Sequence, residues 1–425
     1  MLIKRKIAEG INLNYIEDKR FKVNRVSIKF LLPLQTSKNS SRSLIFPVII
    51  RGTENYPTEK DISIELENLY CSSVNSSYSR QGNISVQTLN VSFLRKKYIQ
   101  DDTDVESGVL KLVEDVLVHP LTENGTFKCK NVEIEKSHLA DSVRAEINNK
   151  GKYAINQCVR NMMSDDPFGY PINGTVDDIE KVTPKDVYEE YQSMLRTAKI
   201  EIFISGDVEM EKYADFFKNI FTAIDRNCCQ DLEPLPVKTH VGEVKRIREK
   251  DNVVQGKMVI GFRAFCSNED SLDDIIPFLV GLNVFGSGST NKLFDNVREK
   301  MSLCYYCSAL FIADKGLMIV QSGVAKENEE KAFKAIIEQL EKMKNGDIEE
   351  KEIENAKSDS ISEIVAIFDY SKSIIAWNYE KMFYSKPLDP EEYIDRIKKV
   401  TKEQISDKFK KVELDTYYFL CGGDD

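Results

Sequence analysis

The chain has 425 residues, 41% of them hydrophobic and 30% charged, with 59 Lys plus Arg against 69 Asp plus Glu, a net charge of −10. That composition is ordinary for a folded globular protein of two or three domains and excludes collagen, a coiled-coil rod and extensive disorder. No run approaches the ~18 apolar residues of a membrane helix, and an acidic chain has no global field to draw in nucleic acid or an anionic membrane.

In chain order, Met1-Leu-Ile-Lys-Arg-Lys6 is followed by too little apolar sequence for a secretion signal, so a cytoplasmic location is expected. Val26 to Leu32 reads as a strand. A helical segment then runs to the turn Arg51-Gly52-Thr53, and the helical stretch Leu66 to Cys71 leads to a strand over Ile84 to Phe93. Val109, Leu112, Val113, Val116 and Leu117 share one helix face, and that helix ends at His119-Pro120. His138 falls in a charged helix. Thr183 caps a helix with Pro184 at its first position, and the strand Lys199 to Ser205 ends in Gly206-Asp207.

The second half repeats this order. Lys257 to Phe262 is a strand, Phe285-Gly-Ser-Gly-Ser289 a tight turn and Leu317 to Val324 a further strand. Phe333, Ile336, Ile337, Leu340 and Met343 line a helix closed by Gly346. Thr401 with Gln404 forms a capping box, and a strand over Thr416 to Cys421 ends in Gly422-Gly423-Asp424. Ile179-Glu-Lys-Val-Thr matches Ile397-Lys-Lys-Val-Thr, and the strand ends keep nearly the same offset. The fold class is therefore α+β: two tandem homologous domains, each a mainly antiparallel sheet packed with helices. The expected boundaries are 1–226, a linker 227–241 and 242–425. Trp377 is expected in the core, and the Glu- and Lys-rich stretch 328–357 as two solvated helix faces.

Nine cysteines at irregular spacing suit reduced thiols. Cys304-Tyr-Tyr-Cys307 is a C-x-x-C in a strand-forming run, open to a redox or metal role, whereas Cys228-Cys229 reads as inert. There are only three histidines, His119, His138 and His240, and none forms H-x-x-x-H or H-x-x-E-H.

Asn283-Val-Phe-Gly-Ser-Gly-Ser-Thr-Asn-Lys-Leu-Phe294 followed by Val297-Arg-Glu-Lys-Met-Ser-Leu-Cys-Tyr305 resembles the C-terminal domain of the pitrilysin/insulinase zinc metallopeptidases. Arg51-Gly-Thr and Asp165-Asp-Pro-Phe-Gly-Tyr-Pro-Ile-Asn-Gly-Thr175 resemble that family's N-terminal domain, so the likeness covers nearly the whole chain. The resemblance implies one half of a metallopeptidase clamshell. Active members carry H-x-x-E-H, two zinc ligands and a general base on one helical face. Registered back from Gly52-Thr53, those positions fall on Ser43, Phe46 and Pro47, and none can do the job. The family's distant Glu ligand would fall near Asp141 to Glu146, where Glu146 reads as a solvated helix residue. The Arg and Tyr that complete the family's active site fall on Arg298 and Tyr305, with Tyr306 directed to the opposite strand face. The resemblance thus implies a non-catalytic subunit with no metal of its own. Zinc is expected in a homologous H-x-x-E-H-bearing partner, in a heterodimer or a homodimer acting on unfolded peptides. The alternative is a zinc-free binding or scaffold protein associated with peptide or protein maturation or modification.

Overall fold

Alternating apolar residues set the first sheet. Val26, Ile28 and Phe30 lie opposite Ile204, Ile202 and Ile200, all buried, so one strand supplies every second side chain to the core. The computed structural model describes residues 2–227, 232, 237–238, 241–267, 270–384 and 386–422. The first half contributes β1 (Leu2–Ala8), β2 (Ile11–Glu17), β3 (Val23–Pro33), β4 (Ser73–Gln81), β5 (Ile84–Leu94), the short hairpin β6 (Thr122–Glu123) and β7 (Thr126–Phe127), and β8 (Lys199–Gly206). The second contributes β9 (Lys245–Lys250), β10 (Gly256–Arg263), β11 (Cys304–Ile312), β12 (Leu317–Val324) and β13 (Glu413–Cys421).

The sheet orders are β1-β2-β8-β3-β5-β4 and β11-β12-β10-β13-β9. Read from the other edge, the second sheet runs β9-β13-β10-β12-β11, which superposes in order on β2-β8-β3-β5-β4. The pairing senses agree as well. β2–β8 and β9–β13 are parallel, and the pairs around β3 and β10 are antiparallel. The duplication read from helix caps is therefore repeated in hydrogen bonding, with β1 as the extra edge strand of the first sheet. Both caps form as expected. Thr183 exchanges hydrogen bonds with Asp186 and Thr401 with Gln404, opening the helices Pro184–Thr197 and Lys402–Phe409 that precede β8 and β13.

The chain divides into two compact units, Met1–Arg144 with Tyr170–Pro234 and Ala145–Gly169 with Leu235–Asp425. Segment 145–169, expected within the 1–226 domain, packs with the second unit. In β10, Met258, Ile260 and Phe262 face the core made with helices such as Leu272–Leu282 and Glu329–Lys344, while Val259 faces the other side. There the helix Lys150–Met162 lays Ala154, Cys158 and Met162 on Val259, Ile319, Tyr418 and Leu420. Each large side chain buried this way contributes about 2 kcal/mol. Polar clamps fix the same helix: Tyr153 donates to Glu249 at 2.8 Å, Lys315 to Asp166 at 2.8 Å and Arg263 Nη2 to the Met162 carbonyl at 2.7 Å. Most of the expected 227–241 linker, with Cys228, Cys229 and His240, lies outside the described residues, as do Gly423 and Asp424.

Two other expectations change. Of the expected tight turn Phe285–Ser289, residues 285–287 belong to a π-helical segment, Asn283–Ser287, and a Cβ on Gly286 would sit 2.8 Å from that of Ala309, so close approach to β11 requires glycine. Glu329, expected on a solvated face, is buried, because Arg248 and Tyr417 both donate to its carboxylate, at 2.7 and 2.6 Å.

Candidate functional site

The helix Asn39–Ile50 carries Ser43, Phe46 and Pro47, the residues that the sequence registers against H-x-x-E-H. Its apolar residues Leu44, Ile45, Phe46, Val48 and Ile49 are all buried, so packing rather than helix propensity holds it in place. Pro47 sits in its interior, where it offers no N–H and no side-chain donor. Ser43 Oγ donates to the Ser40 carbonyl at 2.9 Å, one turn back in its own helix. Phe46, 1% exposed, packs on Phe30 with ring centroids 5.8 Å apart. A hydroxyl bound to its own helix, a buried phenyl ring and a proline do not fit a zinc ion, which takes nitrogen, thiolate or carboxylate donors.

An ion-pair network anchors the helix. Arg42, 3% exposed, places Nε 2.9 Å from Glu190 Oε2 and donates through Nη1 to the Pro33 carbonyl at 2.8 Å and to Ser85 Oγ at 2.9 Å. Lys38 approaches the other Glu190 oxygen at 2.6 Å. Tyr78 donates to Asn39 Oδ1 at 3.1 Å, and burial pushes its hydroxyl pKa up to about 12. Asn39 donates to the Pro171 carbonyl and Ser40 to that of Asn173. The helix is thereby joined to the Asp165–Thr175 motif that the sequence singled out. Gly174, at φ +76°, would place a Cβ 2.1 Å from Ser40 Oγ, so glycine is required there by both conformation and space. Sequence reasoning missed this network. Its only local signal was a lone arginine beside a run of small and apolar residues.

The other ligand candidates do not converge. Asp141 is exposed and pairs with Arg144 at 3.1 Å. Glu146, expected to be solvated, accepts from Asn156 and, at 3.2 Å, from Arg160, within the segment that packs with the second unit. His119 Nδ1 lies 3.8 Å from Glu54 and His138 Nδ1 3.5 Å from Glu135, both at the surface. Among the described residues no group of three His, Cys, Asp or Glu side chains is arranged to hold a metal ion.

Arg298 and Tyr305 lie in the second unit. Arg298 is in the π-helical segment Leu293–Lys300, its guanidinium 4.7 Å from the Phe294 ring centroid and its Nε 3.5 Å from Glu299. A turn through Ser302, at φ 52°, leads into the edge strand β11. There the register shifts: Cys304 opposes Val324, and Tyr306 opposes Gly323. Tyr305 is thus the extra residue of a β-bulge, and it stands 72% exposed. The bulge interrupts strict alternation between Cys304 and Tyr306. Tyr306 lies over Gly323, where a Cβ would meet its ring at 2.5 Å, with Lys257 Nζ 5.5 Å from the ring centroid. Trp377 is partly buried against the second core, edge-on to Tyr393 and Phe368.

The Peptidase M16 inactive domain family matches residues 181–359, a span that includes Arg298 and Tyr305. The chain is 29% identical, over 97% of its length and 96% of the relative's, to a Bacillus subtilis protein described as a probable inactive metalloprotease, YmfF. It is 20% identical to the mitochondrial-processing peptidase subunit beta of Saccharomyces cerevisiae, over 86% of this chain and 78% of that one. The crystal structure of a conserved protein from Enterococcus faecalis V583 superposes with a TM-score of 0.90 at 25% identity, covering 100% of this chain and 99% of that one. Together with the motifs and the duplicated sheets, these likenesses make the chain similar along nearly its whole length to proteins of the M16 peptidase family, without the H-x-x-E-H zinc motif.

Proposed function

We propose that this chain is the non-catalytic subunit of a two-chain zinc peptidase, completing the peptide-processing chamber of a homologous partner that carries H-x-x-E-H. The observation that carries this reading is a split between the two units. The helix Asn39–Ile50 has become packing and ion pairs, whereas the bulge in β11 keeps Tyr305 exposed and Arg298 stays at the surface of the neighbouring helical segment. Tyr306, by contrast, is only partly exposed, with its ring against Gly323. Similarity to a chain that is itself named a subunit supports action within an assembly.

In that role the residues act on an unfolded peptide by ordinary hydrogen-bond chemistry. The Tyr305 hydroxyl donates to the scissile carbonyl oxygen as negative charge develops on it. The Arg298 guanidinium holds a neighbouring peptide carbonyl with its fixed fork of donors. The test is to mix the chain with an H-x-x-E-H-bearing homologue from the same cell and follow cleavage of an unstructured peptide. The reading predicts cleavage by the pair and not by this chain alone. A partner rate that is the same with and without this chain would refute it.

A further inference from the structure

A C-x-x-C motif in a regular strand is a poor dithiol, because residues three apart point to opposite faces and sit about 10 Å apart. The bulge in β11 changes both facts. Cys304 opposes Val324 and Cys307 opposes Ser322, so the two cysteines span only two positions of β12. Two positions correspond to about 6.6 Å between Cα atoms, at the upper end of the ~4.4–6.8 Å that a disulfide spans. A two-position span also returns both side chains to one face. Cys307 is buried in the second core and Cys304 packs at the edge of the same core, partly exposed. Ser322, the partner of Cys307 across the ladder, is buried on the same face. β11 is the edge of its sheet, so only one neighbouring strand resists the small movement that closure needs.

We propose that Cys304 and Cys307 form a hydroperoxide-oxidisable dithiol, in which Cys304 attacks the oxidant and Cys307 resolves it to a disulfide. The partly exposed sulfur is the attacking group, since the buried one is screened from a solvent oxidant. The electrostatics agree. The hydrogen bond from Cys307 first, then Ser322 and the Arg298 charge, hold the Cys304 thiol down to about 7, while Cys307 is raised by the same hydrogen bond and by burial.

The chemistry balances with hydrogen peroxide as the oxidant. The Cys304 thiolate attacks one peroxide oxygen and the O–O bond breaks. Hydroxide leaves, and Cys304 becomes a sulfenic acid. The Cys307 sulfur then attacks that of Cys304, the S–O bond breaks, and hydroxide departs with the Cys307 proton as water. In sum, two thiols and one peroxide give one disulfide and two waters. The sulfurs lose the two electrons that the peroxide oxygens gain.

The test uses the intact chain, treated with one equivalent of hydrogen peroxide, alkylated and digested with trypsin without reduction. The fragment 301–315 contains both cysteines and no other, and Cys71 and Cys129 are exposed reference thiols in the same molecule. The expected result is loss of two hydrogens from that fragment before either reference thiol is oxidised. In Cys307→Ser, Cys304 is expected to accumulate as a sulfenic acid captured by dimedone. Iodoacetamide labelling of Cys304 in the untreated chain is expected to rise with pH with a midpoint near 7. The proposal is overturned if the reference thiols oxidise while fragment 301–315 stays reduced, or if Cys307→Ser leaves Cys304 without dimedone label.

Discussion

Arg42 and Glu190, 148 residues apart in sequence, meet as a buried ion pair with Nε 2.9 Å from Oε2, on the helix that carries Ser43, Phe46 and Pro47. Removing one member of such a pair leaves an uncompensated buried charge, which costs about 3–5 kcal/mol. Lys38 still reaches Glu190 when Arg42 is lost, so Arg42→Met is expected at the lower end of that range. Glu190→Gln should cost at least as much, since it strands Arg42. Denaturant midpoints of the two variants check the ordering.

Restoring the motif by Ser43→His, Phe46→Glu and Pro47→His is expected neither to bind zinc stoichiometrically nor to cleave peptide. Phe46 is enclosed by core residues, so Phe46→Glu forfeits the ~3–5 kcal/mol of a buried phenyl ring and adds a buried carboxylate. Zinc content per chain and the thermal midpoint read both parts. A folded variant holding one zinc would contradict the view that packing has replaced the site.

Arg263, 1% exposed, places Nε 2.8 Å from Asp415 Oδ2 while holding the Met162 carbonyl. Arg263→Met should destabilise by about 3–5 kcal/mol and loosen the helix Lys150–Met162 in particular. Hydrogen exchange should show protection lost in 150–162 before β8 is affected.

Lys381 is buried with Nζ 3.9 Å from the Tyr393 ring centroid, 4.1 Å from that of Trp377 and 4.8 Å from that of Tyr384. Burial pulls its amine down to about 8, below the ~10.4 of an unfolded lysine. Between those values the unfolded chain binds more protons than the folded one, so stability rises with pH through that window. The wild-type chain should gain about 2 kcal/mol over Lys381→Met between pH 8 and 10. A difference that does not change with pH would show that the ring faces hold the ammonium fully charged.

What the sequence revealed was mostly local. Thr183 and Thr401 announce their helices because a cap needs only a hydroxyl and a residue three positions on. Val109 to Leu117 and Phe333 to Met343 announce core faces by spacing alone. That Ser43, Phe46 and Pro47 cannot make a zinc site was readable because Phe46 and Pro47 have no ligand chemistry in any environment. The rest depended on partners far along the chain. Arg42 needs Glu190, Arg263 needs Asp415 152 residues away, and the allegiance of Lys150–Met162 to the second sheet rests on Tyr418 and Leu420. The bulge that turns Tyr305 outward and aligns Cys304 with Cys307 has no periodicity to betray it, because one extra residue in β11 is defined only against β12.

In the proposed assembly Tyr305 works on the substrate of a zinc-bearing partner. The most direct measurement is kcat for peptide cleavage by the assembled pair, comparing Tyr305→Phe with Tyr306→Phe. Tyr305→Phe is expected to lower kcat by about 10²–10³, the loss expected for one oxyanion donor, and Tyr306→Phe to leave kcat within about twofold. Equal rates for the two variants and the wild-type pair would contradict it.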